Sequence, residues 1–231
     1  IHFLLIITIK KELIKLGKNP FQIMPSGYSK LSTKLINEYP KLENENILIH
    51  VSYITRPFTI FEDSRREFIV KENLKFYGEL ANRIGTDNIL IHLPTNVKEY
   101  SSFIYGINLI IDVLVKQYKK IINFEIAVFS KDLREHLNIV KDNAVEKTIK
   151  FIKDLFEQIP KQYLEYFKFT PDTAHLFGNG VNGVDIIKVF DEFKDIINFV
   201  HLNGSKSSMF SPDKHLPIYK ENNIKNVNKI M

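Results

Sequence analysis

The chain has 231 residues, enough to bury one sizeable core, and β/α barrels occupy roughly 200 to 250 residues as one domain. Hydrophobic residues at 44% and charged residues at 26% exclude a disordered, collagen-like or coiled-coil chain. The lack of cysteine excludes disulfides and thiol catalysis and leaves His, Asp and Glu to build any metal site, while a net charge of +5 suits a polyanionic partner or an ordinary lysine-rich surface.

The apolar opening His2-Phe3-Leu4-Leu5-Ile6-Ile7 has no basic flank and no small-residue cleavage site. It reads as a buried strand, Phe3–Ile7, of a protein that is not secreted. A first residue of Ile rather than Met is expected of a sequence that has lost its true start. A helix ending near Lys15 with Gly17 as its cap follows, then a strand at Phe21–Met24 and a helix at Leu31–Tyr39. Next come strand Ile47–His50 and helix Asp63–Ile84, in which Phe68, Ile69, Leu74, Phe76, Leu80 and Ala81 recur at helical spacing and Gly85 is the stop. Strand Ile89–His92, helix Ser101–Lys119, strand Ile122–Val128, helix Ala144–Gln158, strand Phe167–Thr170, helix Asp185–Asn198 and strand Phe199–Leu202 complete the alternation. No run reaches the roughly 18 apolar residues of a membrane span, so an intracellular chain without a membrane partner is expected. Repeated βα units predict an α/β protein, a TIM-type (β/α)8 barrel forming a single domain over residues 1–231, with seven recognisable strands and the closing strand missing beyond Met231.

In such a barrel the C-terminal ends of the strands converge on one face, and that face carries the chemistry. His50 and His92 end their strands, Glu125 lies in the fifth, Asp172 and His175 follow the sixth, and His201 ends the seventh. Any one of these histidines alone reads as a satisfied core residue; their common placement points to metal ligation. His136 sits on a polar segment and reads as surface. In Ser211-Pro212-Asp213-Lys214-His215 an extended backbone sends Asp213 and His215 to one side. Asp172 and His175, three apart, can face one site from a strand-end turn, and Asp172-Thr173 is also a common helix cap. Nitrogen and oxygen ligands without sulfur favour zinc, with manganese or iron as substitutes, over an oxygen-ligated magnesium. Eight candidate ligands exceed one tetrahedral ion, and two or three clustered ions suit phosphodiester hydrolysis.

Ile49-His50-Val51-Ser52-Tyr53, Asp172-Thr173-Ala174-His175, His201-Leu202-Asn203 and Asp213-Lys214-His215 occur in the order found in the endonuclease IV family, which the chain resembles over nearly its whole length. These are zinc-dependent apurinic/apyrimidinic endonucleases of DNA base excision repair. The resemblance implies three zinc ions: one on His50, His92 and Glu125; a second on the bridging Glu125 with Asp172 and His201; a third on His175, Asp213 and His215. It implies a monomer that incises double-stranded DNA 5′ to an abasic site, with metal-bound hydroxide as nucleophile. It also implies that loop side chains fill the gap left by the flipped-out nucleotide, where Tyr53 and Ile54 stand here, with Lys206 and Lys214 near phosphates. The alternative roles are packing beside His50 for Tyr53 and ordinary solvated lysines for Lys206 and Lys214.

The chain departs from the family's pattern in four places. It stops before any residue can match the eighth-strand glutamate that completes the second site. Ile126-Ala127-Val128-Phe129 follows Glu125 where the family has an Asn-Thr-Ala-Gly-like turn; Asn203-Gly204-Ser205 replaces a motif ending in Asn-Asp; Tyr28 stands near the place of a basic DNA contact. Abundant Ile, Lys and Asn suggest an AT-rich genome, similar in flavour to members from large DNA viruses, for which the site of action is the virus factory or virion instead of cytoplasm or nucleus. Two other readings stand beside this one. A sugar isomerase or epimerase of the xylose-isomerase-like barrels also sets His, Glu and Asp at strand ends, but the Asp213 and His215 pair is surplus to it. A degenerate, non-catalytic barrel accounts for the missing strand, but not for the survival of eight ligand positions within otherwise divergent strands.

Overall fold

Two unbroken apolar runs, Ile47-Leu48-Ile49 and Ile89-Leu90-Ile91, are at most 2% exposed, as expected of parallel strands covered on both faces. The computed structural model describes residues 21–25, 33–42, 46–59, 64–206, 208–211 and 215–216. These fall into two compact units, one within Ile1–Ile91 and Gly106–Ile122, the other within His92–Tyr105 and Asn123–Met231. The predicted strand Phe3–Ile7, the helix near Lys15 with its Gly17 cap, and Tyr28, Asp213 and Lys214 lie outside the described residues.

In the first unit β1 (Phe21–Ile23), β2 (Ile47–His50) and β3 (Asn88–His92) run parallel, with Phe21 opposite Ile47 and Leu48 opposite Asn88. Pairing carries past β2, where the Val51 N–H donates to the Leu90 carbonyl at 2.9 Å. The described part of the predicted helix Leu31–Tyr39 is a 3-10 turn at Thr33–Glu38. Helix α1 (Ser64–Ile84) connects β2 to β3. Its buried stripe is Val70, Leu74, Tyr77, Ala81 and Ile84, spaced by three or four residues. Phe68 and Ile69, expected on that stripe, lie off it and are 62% and 47% exposed. Gly85 ends α1 as predicted: at φ 87° it takes the left-handed turn, and the N–H groups of Gly85 and Thr86 both donate to the Ala81 carbonyl.

The predicted helix Ser101–Lys119 is instead three pieces: α2 (Val97–Ser101), α3 (Phe103–Ile110) and a π-turn at Ile111–Val115. It starts early because the Asn96 side chain accepts the Glu99 N–H at 3.0 Å while Glu99 accepts the Thr95 N–H at 2.8 Å, a reciprocal cap. The π-turn is closed by Lys116 N–H to the Ile111 carbonyl at 2.8 Å.

Strand β4 (Ile121–Glu125) stops three residues short of the predicted Ile122–Val128. Beyond Glu125 the carbonyls of Ile126 and Ala127 accept side-chain donors, His175 Nδ1 at 2.7 Å and Asn179 Nδ2 at 2.9 Å, and no ladder forms. In the second unit follow α4 (Lys131–His136), capped by Ser130 and not predicted, α5 (Ala144–Glu157), β5 (Phe167–Thr170), α6 (Thr173–Gly178) and α7 (Val184–Phe193). Phe124 of β4 packs on Phe103, Phe156 and Phe167, with ring centroids 6.1, 6.0 and 5.4 Å away. Strand alternation then turns its neighbour Glu125 to the opposite face.

The predicted helix Asp185–Asn198 ends at Phe193, whose carbonyl takes the N–H groups of Ile196 and Ile197 while the Ile196 carbonyl turns to the Phe169 N–H. The predicted strand Phe199–Leu202 is not one: isolated parallel bridges join Phe169 to Ile197 and Asp172 to His201. Between them Asn198 donates from its side chain to Asn123 and Val200 is 40% exposed, so no continuous ladder is built. Last, β6 (Gly204–Ser205) pairs antiparallel with β7 (His215–Leu216). Parallel strands linked by helices make the chain α/β. No helix among the described residues is long and apolar enough to cross a membrane.

Candidate metal centre

Glu125, the last residue of β4, is 1% exposed, and its two oxygens are divided between histidines of the second unit. Oε2 lies 3.0 Å from Nε2 of His92, at the end of β3; Oε1 lies 2.8 Å from Nδ1 of His201 and 3.3 Å from Nδ1 of His175. Burying a carboxylate is costly unless it is paired, and these imidazoles are among its partners.

Asp172, fully buried, caps α6: its Oδ1 accepts the N–H groups of Ala174 and His175 at 2.8 and 2.9 Å. Helix cap and site residue are therefore one and the same role for this carboxylate. Its Oδ2 accepts from the Asn203 amide at 2.7 Å and lies 3.7 Å from both His201 Nδ1 and His215 Nε2. Thr173 fixes the Asn203 backbone, its hydroxyl donating to the Asn203 carbonyl at 2.5 Å and accepting the Asn203 N–H at 2.8 Å. His175 sits on the first turn of α6, and its Nδ1 faces the Ile126 carbonyl at 2.7 Å. A carbonyl can only accept, so Nδ1 carries the proton and Nε2 is the basic nitrogen. The His175 ring lies 5.8 Å from that of His92 and 5.0 Å from that of His215.

His201 is held beside Asp172 by the parallel bridge between the two residues. Burial alone depresses its pKa, but the hydrogen bond and charge of Glu125, with the charge of Asp172, outweigh burial and raise it above the ordinary histidine value. His215 stands on β7 and is exposed.

The second unit thus brings together His92, Glu125, Asp172, His175, His201 and His215. Ligand atoms of Glu125, Asp172 and His201 lie within 4.8 Å of one another, as do those of Asp172, His175 and His215, so Asp172 belongs to both sets. Buried carboxylates facing imidazoles are a donor set that fits divalent transition-metal ions, which neutralise the carboxylates and take the basic nitrogens. In the first unit His50 is buried at the end of β2, its Nδ1 2.8 Å from the Val51 carbonyl. Tyr53 follows it with ring centroids 5.9 Å apart; Tyr53 and Ile54 are 46% and 38% exposed. Lys206 and His136 are exposed.

Three residues that sequence reasoning did not place in the site support it: Thr173, Asn203 and Asn179. Asn179, fully buried at the end of α6, donates to the Ala127 carbonyl and accepts the Phe129 N–H at 2.7 Å. It holds the segment after Glu125 as a peptide neighbour would. A polar residue just past the C-terminus of a short helix gives no pattern by which to find it.

Neither protein-family models nor curated proteins give a match to this chain. Solved structures do. The crystal structure of AsfvAP:AG is 16% identical, with a TM-score of 0.55 over 90% of this chain and 68% of that one. A D-tagatose 3-epimerase-like protein is 17% identical, with a TM-score of 0.62 over 95% of this chain and 81% of that one. The 3-keto-D-glucoside 4-epimerase YcjR from E. coli, in its apo form, is 14% identical, with a TM-score of 0.53 over 88% and 78%. At such identities the likeness is one of fold, and the fold is α/β of the TIM type.

Proposed function

We propose that this chain is an endonuclease that hydrolyses the DNA phosphodiester on the 5′ side of an abasic site, using zinc ions held by the His and carboxylate cluster. The observation that carries the reading is the membership of Asp172 in two ligand sets, one with Glu125 and His201, the other with His175 and His215. An epimerase needs one ion beside its sugar, and the second set is surplus to that chemistry. The order of the four motifs adds support, and AsfvAP:AG, whose name carries AP, is among the structures sharing the fold.

In this reading His50, His92 and Glu125 would hold one zinc, Glu125, Asp172 and His201 a second, and His175, Asp213 and His215 a third, with Asp172 able to serve the third as well as the second. Zinc held by these residues would supply polarisation of the phosphoryl group and easier ionisation of an attacking water. The chain's own groups prepare the site. His175 keeps its proton on Nδ1 against the Ile126 carbonyl, which reserves Nε2 as a ligand. Asn203 holds Oδ2 of Asp172, and Glu125 turns one oxygen to His92 and the other to His201. Exposed Tyr53 and Ile54 offer an aromatic and an aliphatic face to an unstacked duplex, and Lys206 and Lys214 in a chain of net charge +5 offer charge to phosphates.

Sugar epimerisation is the second reading, favoured by the two epimerase structures of the same fold. A duplex with one synthetic abasic site and a panel of ketoses, each incubated with the zinc-loaded chain, separate the two. Incision of the duplex with no change in the sugars supports the endonuclease; epimerisation without incision overturns it.

A further inference from the structure

Phe210 lies outside the ligand sets, in the segment between β6 and β7. Its backbone has φ 62°, a left-handed conformation that a bulky side chain seldom adopts. Three contacts hold it there. The Phe210 N–H donates to the Gly178 carbonyl at 2.9 Å, at the end of α6. The tip of its ring rests on Gly180, where any side chain would run into it. The Arg134 guanidinium lies 5.8 Å from the ring centroid, and the same guanidinium donates to the Phe129 carbonyl at 2.5 Å. The turn is closed by the Ser211 hydroxyl, which donates to the Ser208 carbonyl at 2.5 Å.

These contacts join the segment that delivers His215 to the helix that delivers Asp172 and His175. β6 and β7 are two residues each, with Ser205 opposite His215 and Gly204 opposite Leu216, too short a ladder to fix an exposed histidine by itself. A left-handed aromatic residue pinned to the end of α6 supplies what the ladder lacks. We propose that Phe210 is a positioning residue for the metal set of Asp172, His175 and His215: it anchors the β6–β7 hairpin to α6 and sets His215 at ligating distance from the other two. The proposal rests on the reading of that set as a zinc site.

The test counts zinc. Wild type, His215→Ala, Phe210→Ala and the milder Phe210→Leu are titrated with zinc against a chromogenic chelator, and each is first checked in chelator for an unchanged melting temperature. Should Phe210→Ala fail that check, Phe210→Leu is the variant read. The expected result is that His215→Ala loses one zinc equivalent per chain and that the Phe210 variant weakens the same equivalent about 10- to 100-fold, leaving the equivalent that depends on His201 intact. Trypsin is also expected to cut the metal-free variant at Lys206 sooner than the metal-free wild type. A folded Phe210 variant that keeps wild-type affinity for that equivalent overturns the anchor and leaves the zinc reading standing. Equal zinc content in wild type and His215→Ala overturns the zinc reading of this set, and the anchor's role with it.

Discussion

The Asn203 side-chain amide donates to Oδ2 of Asp172 at 2.7 Å, on the carboxylate that the two ligand sets share. The other oxygen is committed to the first turn of α6, so Asn203 and the helix together fix how Asp172 is presented. Partners of this kind tune metal affinity by about 10- to 100-fold. Asn203→Ala is expected to lower zinc affinity by that factor at both sets while the fold persists, as read by chelator competition and circular dichroism. An unchanged affinity contradicts the role.

Asn179 satisfies two backbone groups of the segment that replaces a strand after Glu125, the Ala127 carbonyl and the Phe129 N–H. Asn179→Ala leaves both buried without that partner, at about 1–3 kcal/mol for each. Urea unfolding of the metal-free protein reads this loss. A change below a few tenths of a kcal/mol would mean that water or relaxation replaces the amide.

Phe124 fills the core directly behind Glu125, against Phe103, Phe156 and Phe167. Phe124→Ala is expected to cost ~3–5 kcal/mol, the range for a buried aromatic truncated to alanine. The same variant is expected to bind zinc more weakly, since β4 loses the packing that aims its last residue.

Tyr39, 5% exposed, has its phenol pKa pushed up to about 12, by burial first and then by the charges of Glu38 and Tyr77. The folded value exceeds the unfolded one, so the neutral phenol contributes stability that is whole below the ordinary tyrosine pKa of about 10. That contribution is lost as pH rises toward the folded value. Tyr39→Phe is expected to flatten this part of the alkaline stability profile; parallel profiles for the two proteins contradict the assignment.

Much of the fold is legible where one physical signal dominates. Ile47–His50 and Phe167–Thr170 are strands with the expected bounds, because a short apolar run, or one that alternates aromatic and polar residues, has few other uses. Gly85 stops α1 because only a left-handed residue continues the chain there. His50 and His92 are found at strand ends, and Asp172 just past one, for the same reason that the strands are found. What was not legible depends on side chains reaching the backbone over long distances. His175 and Asn179 take the carbonyls after Glu125 and shorten β4; the Asn96 and Glu99 cap moves a helix start; Asn198 reaches Asn123 and breaks up the strand expected near His201. Phe68 and Ile69 mislead because hydrophobicity alone leaves the helix phase open, and Val70, Leu74 and Tyr77 set it. Asn203 and Thr173 could have been suspected from the motif that contains each, but their hydrogen bonds join segments about thirty residues apart.

The most direct measurement is incision of a duplex bearing a single synthetic abasic site, with zinc, after prolonged chelation, and with His201→Ala, the cut mapped on a sequencing gel. The account predicts a nick on the 5′ side of the lesion with zinc, its loss on chelation and its return when zinc is restored, and a rate reduced at least about 100-fold in the variant. An intact duplex after incubation with folded, zinc-loaded protein, or incision indifferent to both chelator and His201, would contradict it.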